Sequence, residues 1–407
     1  MPDNHYMTAG QAAAMLGISL PTLYSYVSRG LLRSDPVAGQ QRKRRYFGED
    51  VLRLKERKES CSDPAKAAAR GLHWGSPVLE SSLTLIDGGR IYYRGLNAIE
   101  LAQQASVEEV AALLWTRDPQ QASSLFSPQA QELPRNIRYL VEKTSHLGPV
   151  ERCQLVLPVA ASLDFSAYDL RPNAVAKTGA HILRLLLSAV CGQSASAPID
   201  VGLQGAWVPR RKAAARHLRA ALILCADHEL NVSAFTARCI ASARATPYEV
   251  VAGALAALKG QRHGGMTAQV EVVFQEATRT RNLRQFLAKR LRMQEQLPGF
   301  GHPLYPNGDP RAALLLSLAQ TEGKSAVADL AAGMTEAARE LTGEHPTLDF
   351  GLVVLAHALN LPPESPLALF ALGRTVGWIA HAIEQYADNR LIRPRARYVG
   401  VLPGSSV

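Results

Sequence analysis

What constrains this chain most is the scarcity of the two-residue alternation that a half-buried strand requires. Its apolar residues come instead in alanine- and leucine-rich blocks, among them "VAALLW", "HILRLLLSAV", "AGALAAL" and "LVVLAHAL". Such blocks suit helices, whose buried face recurs every three to four residues. The expected fold class is mainly α. At 407 residues, 47% of them apolar and only 6% aromatic, the chain is long enough for two or more folding units. No run of ~18 consecutive apolar residues occurs, and the opening "MPDNHYMTAG" lacks the basic and apolar regions of a signal peptide. The expectation is a cytoplasmic protein with no membrane partner.

Five cysteines, Cys61, Cys153, Cys191, Cys225 and Cys239, are scattered without a CxxC pair, which reads as small core residues and not as metal ligands. A formal charge of +10 favours anionic partners. These are nucleic acid or small acids bearing carboxylates and phosphates, and composition does not choose between them.

The first sixty residues read as helix, turn, helix and basic wing. In "MTAGQAAAMLGISLPTLYSYVSRGLLRS", Thr8 and Gln11 have the spacing of a capping box, and Gly17 is free to end the first helix in a left-handed conformation. Ser19 and Pro21 start the second helix, and Gly30 closes it. Four cations follow, Arg42, Lys43, Arg44 and Arg45, ahead of a further amphipathic helix from about Glu49. The segment resembles the helix-turn-helix module of the MerR and excisionase families. That resemblance implies a recognition helix "PTLYSYVSRGLL" and a wing "RKRRYF", with Thr22, Tyr24, Ser25, Arg29 and Arg42 to Arg45 meeting DNA. The alternative is a small accessory module with a solvated charge run.

Small polar residues from 60 to 70, "SCSDPAKAAAR", form a plausible linker. After them "LTLIDGGRIYYRG" reads as a hairpin turning at Gly88 and Gly89. From Asn97 onward the pattern is helical, with no repeat of fixed period.

Three histidines stand in contexts built for more than packing. His302 lies in "LPGFGHPLYPNGDPRAALLLSLAQ", where Gly299 and Gly301 permit close backbone approach to a ligand and Pro298, Pro303 and Pro306 stiffen the path. Asp309 then caps a helix, Pro310 takes its first position, and Arg311 projects from its positive end, a place to hold an anion. His263, in "LKGQRHGGMTAQVEVVFQEA", precedes another helix whose dipole disfavours an imidazolium; a neutral ring there is a donor to a developing oxyanion. His228 and Asn231, in "LILCADHELNVSAFTARCIASA", are expected three apart on one helix face.

Asp349, in "EHPTLDFGLVVLAHAL", falls in the first turn of a helix beginning near Pro346 and Thr347, where the dipole helps to keep it ionised as a base. Arg374, and Arg393 with Arg395 beyond the helix end, are able to grip a dicarboxylate through bidentate pairs. Each feature also has a plainer reading. A lone helical histidine such as His357 or His381 is more often a satisfied core group, and a terminal arginine run is often a solvated tail.

Taken together and in this order, "ADHELNVSAFTAR", "LKGQRHGG", "LPGFGHPLYPNGDPRA", "HPTLDF", "FALGRTVGWIAHAIEQ" and "RLIRPRARYVG" resemble the citrate synthase family, as does "IYYRGLNAIELAQQASVEEVAALLW" earlier in the chain. The resemblance runs from about Leu83 to Gly400. It implies a large helical domain over 71–235 and 346–407 and a small lid domain over 236–345, assembled as a homodimer; the helix-turn-helix unit over 1–59 and the linker over 60–70 precede it and are not typical of that family.

It also implies roles. Asp349 takes a methyl proton from acetyl-CoA, His263 stabilises the enolate, and His302 polarises the ketone of oxaloacetate. His228, Arg311, Arg374 and, across the dimer, Arg393 hold the oxaloacetate carboxylates; Pro298, Gly299, Phe300 and Gly301 lie against coenzyme A. No metal or other cofactor is called for. Met266 and Thr267 after His263, and "GLVV" after Phe350, depart from the usual pattern next to the acyl pocket. The expected activity is condensation of acetyl-CoA with oxaloacetate to citrate. The alternatives are 2-methylcitrate formation from propionyl-CoA and a DNA-binding regulator that keeps the same body as a sensor.

Overall fold

The computed structural model describes residues 6–37, 40–48, 50, 51, 54, 79–127, 134–193, 198–321, 325–396, 398–401 and 403, without the side chains of 37, 40–43 and 325. The chain divides into two compact units between Glu80 and Ser81. The linker expected over 60–70 lies outside the described residues, as does Cys61.

In the first unit the antiparallel strands β1 (Tyr6–Thr8), β2 (Ser34–Val37) and β3 (Gln40–Phe47) form a sheet in the order β1-β3-β2. Helices α1 (Ala9–Leu16) and α2 (Leu20–Ser28) sit between β1 and β2 in sequence. The Thr8–Gln11 capping box is formed, and Gly17 ends α1 at φ 58°. Ser19 caps α2 by accepting from the Thr22 N–H. Ala12, Ala13, Leu16, Leu23, Leu32, Tyr46 and Val51 make a small core, each large member contributing about 1.5–3 kcal/mol through burial. The wing is thus a β2–β3 hairpin widened by β1, a strand the sequence reading did not anticipate. Tyr24, Arg29, Arg44 and Arg45 are exposed, while Thr22 and Ser25 are half-buried. The Arg45 guanidinium lies 4.1 Å from the Tyr6 ring centre. The side chains of Arg42 and Lys43 lie outside the described residues.

The second unit opens with the expected hairpin. β4 (Thr84–Asp87) pairs with β5 (Arg90–Tyr93) through the two-glycine turn Gly88–Gly89, both at positive φ, and β6 (Leu96–Asn97) adds a third strand. Helices carry the rest. Those that position the site are α3 (Pro172–Cys191), α4 (Ala214–Cys225), α5 (Val232–Ser242), α6 (Pro247–Leu258), α7 (Met266–Ala277), α8 (Leu283–Arg292), α9 (Pro310–Gln320), α10 (Leu348–Leu359) and α11 (Ser365–Asp388).

Helix α11 is the axis of this unit, with α3, α4, α5 and α6 all packed on it. It is buried on nearly every side, as a helix surrounded by others is, and mostly apolar apart from a few buried polar groups such as Arg374 and His381. Its approach to α4 is close because Gly373 and Gly377 leave room. A β-carbon at Gly373 would strike the Leu222 carbonyl, and one at Gly377 the Ala226 carbonyl. Both α3 and α11 are long and apolar enough to cross a membrane, but their apolar windows are 72% and 94% buried inside the protein, the position of core helices.

Gly351 plays a similar part between α10 and α9, since a β-carbon there would meet Leu315 and Ala312. The "GLVV" departure is therefore a helix-packing feature, with Leu352, Val353 and Val354 all in the core. Residue 236 falls inside the continuous helix α5, which packs on both α6 and α11. Cys153 and Cys225 are buried and Cys191 and Cys239 half-buried, all as free thiols.

Candidate active site

The site is assembled from five segments of the chain. His228 is not on a helix, contrary to the sequence expectation: α4 stops at Cys225, and residues 226–231 form a loop in which Glu229 takes a left-handed conformation at φ 50°. Asn231 shares no helix face with His228: it is the N-cap of α5, where its Oδ1 accepts from the Ser233 and Ala234 N–H groups while its Nδ2 donates to the His228 carbonyl at 3.2 Å. A helix over this stretch would have cost α5 its cap. The His228 Nε2 lies 3.1 Å from the Tyr305 hydroxyl, and its ring stands edge-on to His302 with centroids 5.2 Å apart.

The loop bearing His302 is laced to the start of α10. Gly301 N–H donates to the His345 carbonyl at 2.9 Å and Thr347 N–H to the Gly299 carbonyl at 2.8 Å. Gly299 and Gly301 make this possible at φ 85° and 78°; a β-carbon on Gly299 would press on Val270 and Phe350. The Leu304 N–H donates to His302 Nδ1 at 3.2 Å. That contact puts the proton of the neutral ring on Nε2, making Nε2 a donor. Burial, with the Arg311 charge second, pushes His302 down to about 4, so the ring is neutral at pH 7.

Asp309 caps α9 as expected, but the anion at that helix end is Asp309 itself. Its carboxylate accepts from Arg311 Nε at 3.0 Å, Arg311 Nη2 at 2.8 Å, the Arg311 N–H at 3.0 Å and the Leu348 N–H at 3.1 Å. Arg311 therefore reaches the site already half-answered, and the helix terminus is not vacant for a ligand.

Asp349 lies in the first turn of α10, with Thr347 as N-cap residue. Its Oδ1 is buried without a hydrogen-bond partner. Burial pushes the carboxyl up to about 7 against the opposing pull of Arg311. The expectation that the helix dipole would keep it ionised thus needs correction, because desolvation outweighs the dipole and Asp349 is poised near neutrality.

His263 sits three residues before α7. Its Nε2 is 2.8 Å from Ser233 Oγ, which also receives the Trp378 indole N–H at 3.0 Å. The ring is neutral, as expected. The main cause is burial, with the nearby Arg374 charge second, and together they push it down to about 3. Phe370 bridges the two groups, edge-on to His263 at 5.7 Å and beneath the Arg374 guanidinium at 5.0 Å. Arg374 is 1% exposed and donates through Nε to the Cys225 carbonyl at 2.7 Å. Among the described residues no carboxylate pairs with it, and burial pulls its affinity for the proton down. A buried cation left in this state invites an anionic ligand.

Comparison with known proteins identifies the family. Residues 71–395 match the family model described as citrate synthase, C-terminal domain, and residues 6–59 match one described as helix-turn-helix domain. The chain belongs to the citrate synthase family. It is 28% identical to citrate synthase 2 of Bacillus subtilis, the match covering 82% of this chain and 96% of that protein. It is also 28% identical to a 2-methylcitrate synthase of Shewanella oneidensis, over 84% and 97% of the two chains. The crystal structure of citrate synthase from Thermotoga maritima superposes with a TM-score of 0.68 at 29% identity, covering 82% of this chain and 96% of that one. The protein is accordingly an acyltransferase of the citrate synthase type, carrying an added helix-turn-helix unit.

Of the residues singled out in the sequence, His228, His302 and Arg311 gather around Tyr305. His263 and Arg374 flank Phe370, and Asp349 lies within electrostatic reach of Arg311 and Arg374. Pro298 to Gly301 pack at the foot of α10 through the Phe300–Phe350 ring contact, 4.8 Å between centroids. Arg393 does not join them within one chain; it lies exposed in the extended segment after α11.

The sequence reading missed Tyr305, Ser233, Trp378, Phe370 and Asp227. Tyr305 had a signal, an aromatic three residues after His302 in a glycine- and proline-rich loop. Ser233 and Trp378, 145 residues apart, had none, because only the tertiary fold brings them together.

Proposed function

We propose that this citrate synthase-type enzyme condenses acetyl-CoA with oxaloacetate, giving citrate and free coenzyme A. Propionyl-CoA, giving 2-methylcitrate, is the alternative acyl donor. The observation that carries the reading is a buried Arg374 with no carboxylate in ion-pair contact among the described residues, set among neutral imidazoles and a carboxyl whose Oδ1 is unsatisfied. Among the described residues, such a cluster has a base and a cation with no carboxylate ion-paired to it. Arg374, Arg311 and His228 bind the oxaloacetate carboxylates, and Arg393 completes the grip from a partner subunit in a homodimer. The Pro298–Gly301 loop lies along coenzyme A. The scheme calls on no metal.

In the reaction Asp349 accepts a proton from the methyl carbon of the thioester. The Ser233 hydroxyl has one proton and two acceptors at 2.8 Å, Asn231 Oδ1 and His263 Nε2. Asn231 Oδ1 already accepts two backbone N–H groups, so we assign the hydroxyl proton to His263. Its own ring proton is then on Nδ1, ready to donate to the enolate oxygen as charge develops. The enolate carbon attacks the ketone carbon of oxaloacetate while His302 Nε2–H supplies the forming alkoxide with a hydrogen bond or proton. Water then cleaves the citryl thioester and coenzyme A leaves as the thiol. Segment 236–345 acts as the lid that excludes water until the carbon–carbon bond has formed.

The test is release of coenzyme A thiol from acetyl and propionyl thioesters with oxaloacetate, with Asp349→Ala as the inactive control; no turnover with either thioester would overturn the reading. Mixing Arg393→Ala and Asp349→Ala chains should restore activity if the site is shared between subunits.

The first unit supports a second role, DNA binding in the cytoplasm. Residues 6–59 hold ten lysines and arginines against five acidic residues. Tyr24, Arg29, Arg44 and Arg45 are exposed along α2 and the wing. Binding to DNA from the protein's own promoter region should weaken steeply with salt and with Arg44→Ala. Indifference to both would rule this role out.

A further inference from the structure

Helix α11 carries two ionisable groups toward the His228 loop, and the condensation scheme uses only Arg374. The other is His381, fully buried two turns further on, whose Nε2 lies 3.1 Å from Oδ1 of the equally buried Asp227. The second carboxylate oxygen of Asp227 accepts from Thr84 Oγ1 at 2.5 Å. The Asp227 carbonyl and N–H both meet the Tyr93 hydroxyl, at 3.2 and 3.4 Å. Asp227 directly precedes His228.

These contacts form a series along one helix face. Arg374 Nε holds the Cys225 carbonyl. Gly377 is pressed against the Ala226 carbonyl, and a β-carbon on it would lie 2.6 Å from the Asp227 carboxylate. His381 holds Asp227 itself. Helix α11 thus grips three consecutive residues, and the next residue is His228. An apolar pair of similar volume would fill the space at a lower desolvation cost, but it would lack direction. Here direction matters, because the loop has left helical geometry at Glu229: Asn231 Nδ2 holds the His228 carbonyl and Tyr305 meets its ring, while the residue just before it is held from α11.

We infer that Asp227 and His381 are positioning residues for the carboxylate-binding end of the site, holding the peptide that carries His228 in register with Arg374. The inference rests on the reading that these two side chains bind oxaloacetate. Thr84, from the hairpin that opens the unit, completes the anchor by orienting the Asp227 carboxylate.

The test is calorimetric binding of oxaloacetate to the full-length protein, followed by steady-state kinetics. His381→Asn should weaken oxaloacetate binding by roughly 10-fold, as expected when a buried hydrogen-bonded partner is lost, while the KM for the acyl thioester stays within about 2-fold. Thr84→Val keeps both ionisable partners and should shift oxaloacetate affinity the same way by a smaller factor; it decides the matter if His381→Asn does not fold. Unchanged oxaloacetate affinity in the folded variants would overturn the inference, as would a parallel rise in both KM values with a fall in Tm, which marks a structural role alone. Failure of the unaltered protein to bind oxaloacetate would overturn the functional reading and this inference with it. Normal binding by the unaltered protein and the variants alike removes only the inference.

Discussion

Asp309 and Arg311, each 3% exposed, answer one another through two side-chain hydrogen bonds, and the remaining capacity of Asp309 is spent on two backbone N–H groups. Among the described residues Arg374, 1% exposed, has no carboxylate in ion-pair contact, and Asp349 has a buried oxygen with no donor. The two neighbourhoods lie in one cluster and are made of the same residue types. Only the second leaves its charges unmatched. Matching charges within the chain builds a scaffold: Asp309 ties the α9 terminus to the first turn of α10. Leaving them unmatched stores affinity and basicity for a substrate, at a cost in stability that the scaffold must cover.

The sharpest way to break this comparison is to neutralise one aspartate from each neighbourhood. Asp349→Asn should lower turnover by roughly 10²–10⁴-fold, the range for loss of a general base, and it should stabilise the protein at pH 8. The sign follows from the raised pKa. In the folded state Asp349 holds its proton up to about 7, against an ordinary 3.8, so stability falls as pH rises through that window and stays low above it. Removing the group recovers roughly 1–3 kcal/mol at pH 8 and little near pH 4. Asp309→Asn should do the reverse to stability, costing about 3–5 kcal/mol by leaving Arg311 unpaired in the interior. Thermal unfolding of both variants at pH 5 and pH 8 checks the contrast, and a destabilised Asp349→Asn would erase the distinction drawn here.

Next in size is the arginine contrast. Arg374→Met should raise the KM for oxaloacetate by roughly 100-fold, the loss of a charge-assisted bidentate contact, while Tm changes little, since a buried charge and its desolvation cost go together. Arg311→Met should lower Tm clearly, because it strands Asp309. Steady-state kinetics set beside unfolding curves separates the two; equal losses of stability would mean that Arg374 has an internal partner in solution.

Much of this arrangement was legible in the sequence wherever chemistry is local. The Thr8–Gln11 capping box, the Gly88–Gly89 hairpin, the Asp309–Pro310 helix start and the placement of Asp349 near the N-terminus of α10 all follow from neighbours within four residues. His263 was read as neutral, but for the wrong reason: the decisive groups are distant ones that bury it, with Arg374 arriving from 111 positions away in the sequence. His228 was misplaced onto a helix because "ADHELNVSAF" has no glycine or proline to end one. The break comes from Asn231, whose side chain serves α5 as a cap, and from a left-handed glutamate that no propensity favours. His381 was read as a satisfied core histidine, and its contact with Asp227 fits that reading in chemistry while placing it one residue from the site.

The smallest expected effect concerns Tyr305, which stands between the matched and unmatched neighbourhoods. Its ring lies 5.2 Å from the Arg311 guanidinium, its hydroxyl is 3.1 Å from His228 Nε2, and burial pushes its phenol up to about 12, so it remains a donor at every working pH. Tyr305→Phe removes one oxygen and leaves the packing intact. If the hydroxyl serves only to orient His228, the KM for oxaloacetate should rise by about 3–10-fold, the value of one neutral hydrogen bond, with kcat and thioester KM unchanged. A comparable fall in kcat alone would instead put the phenol in the chemical step, moving Tyr305 from the scaffold to the reacting side of the comparison.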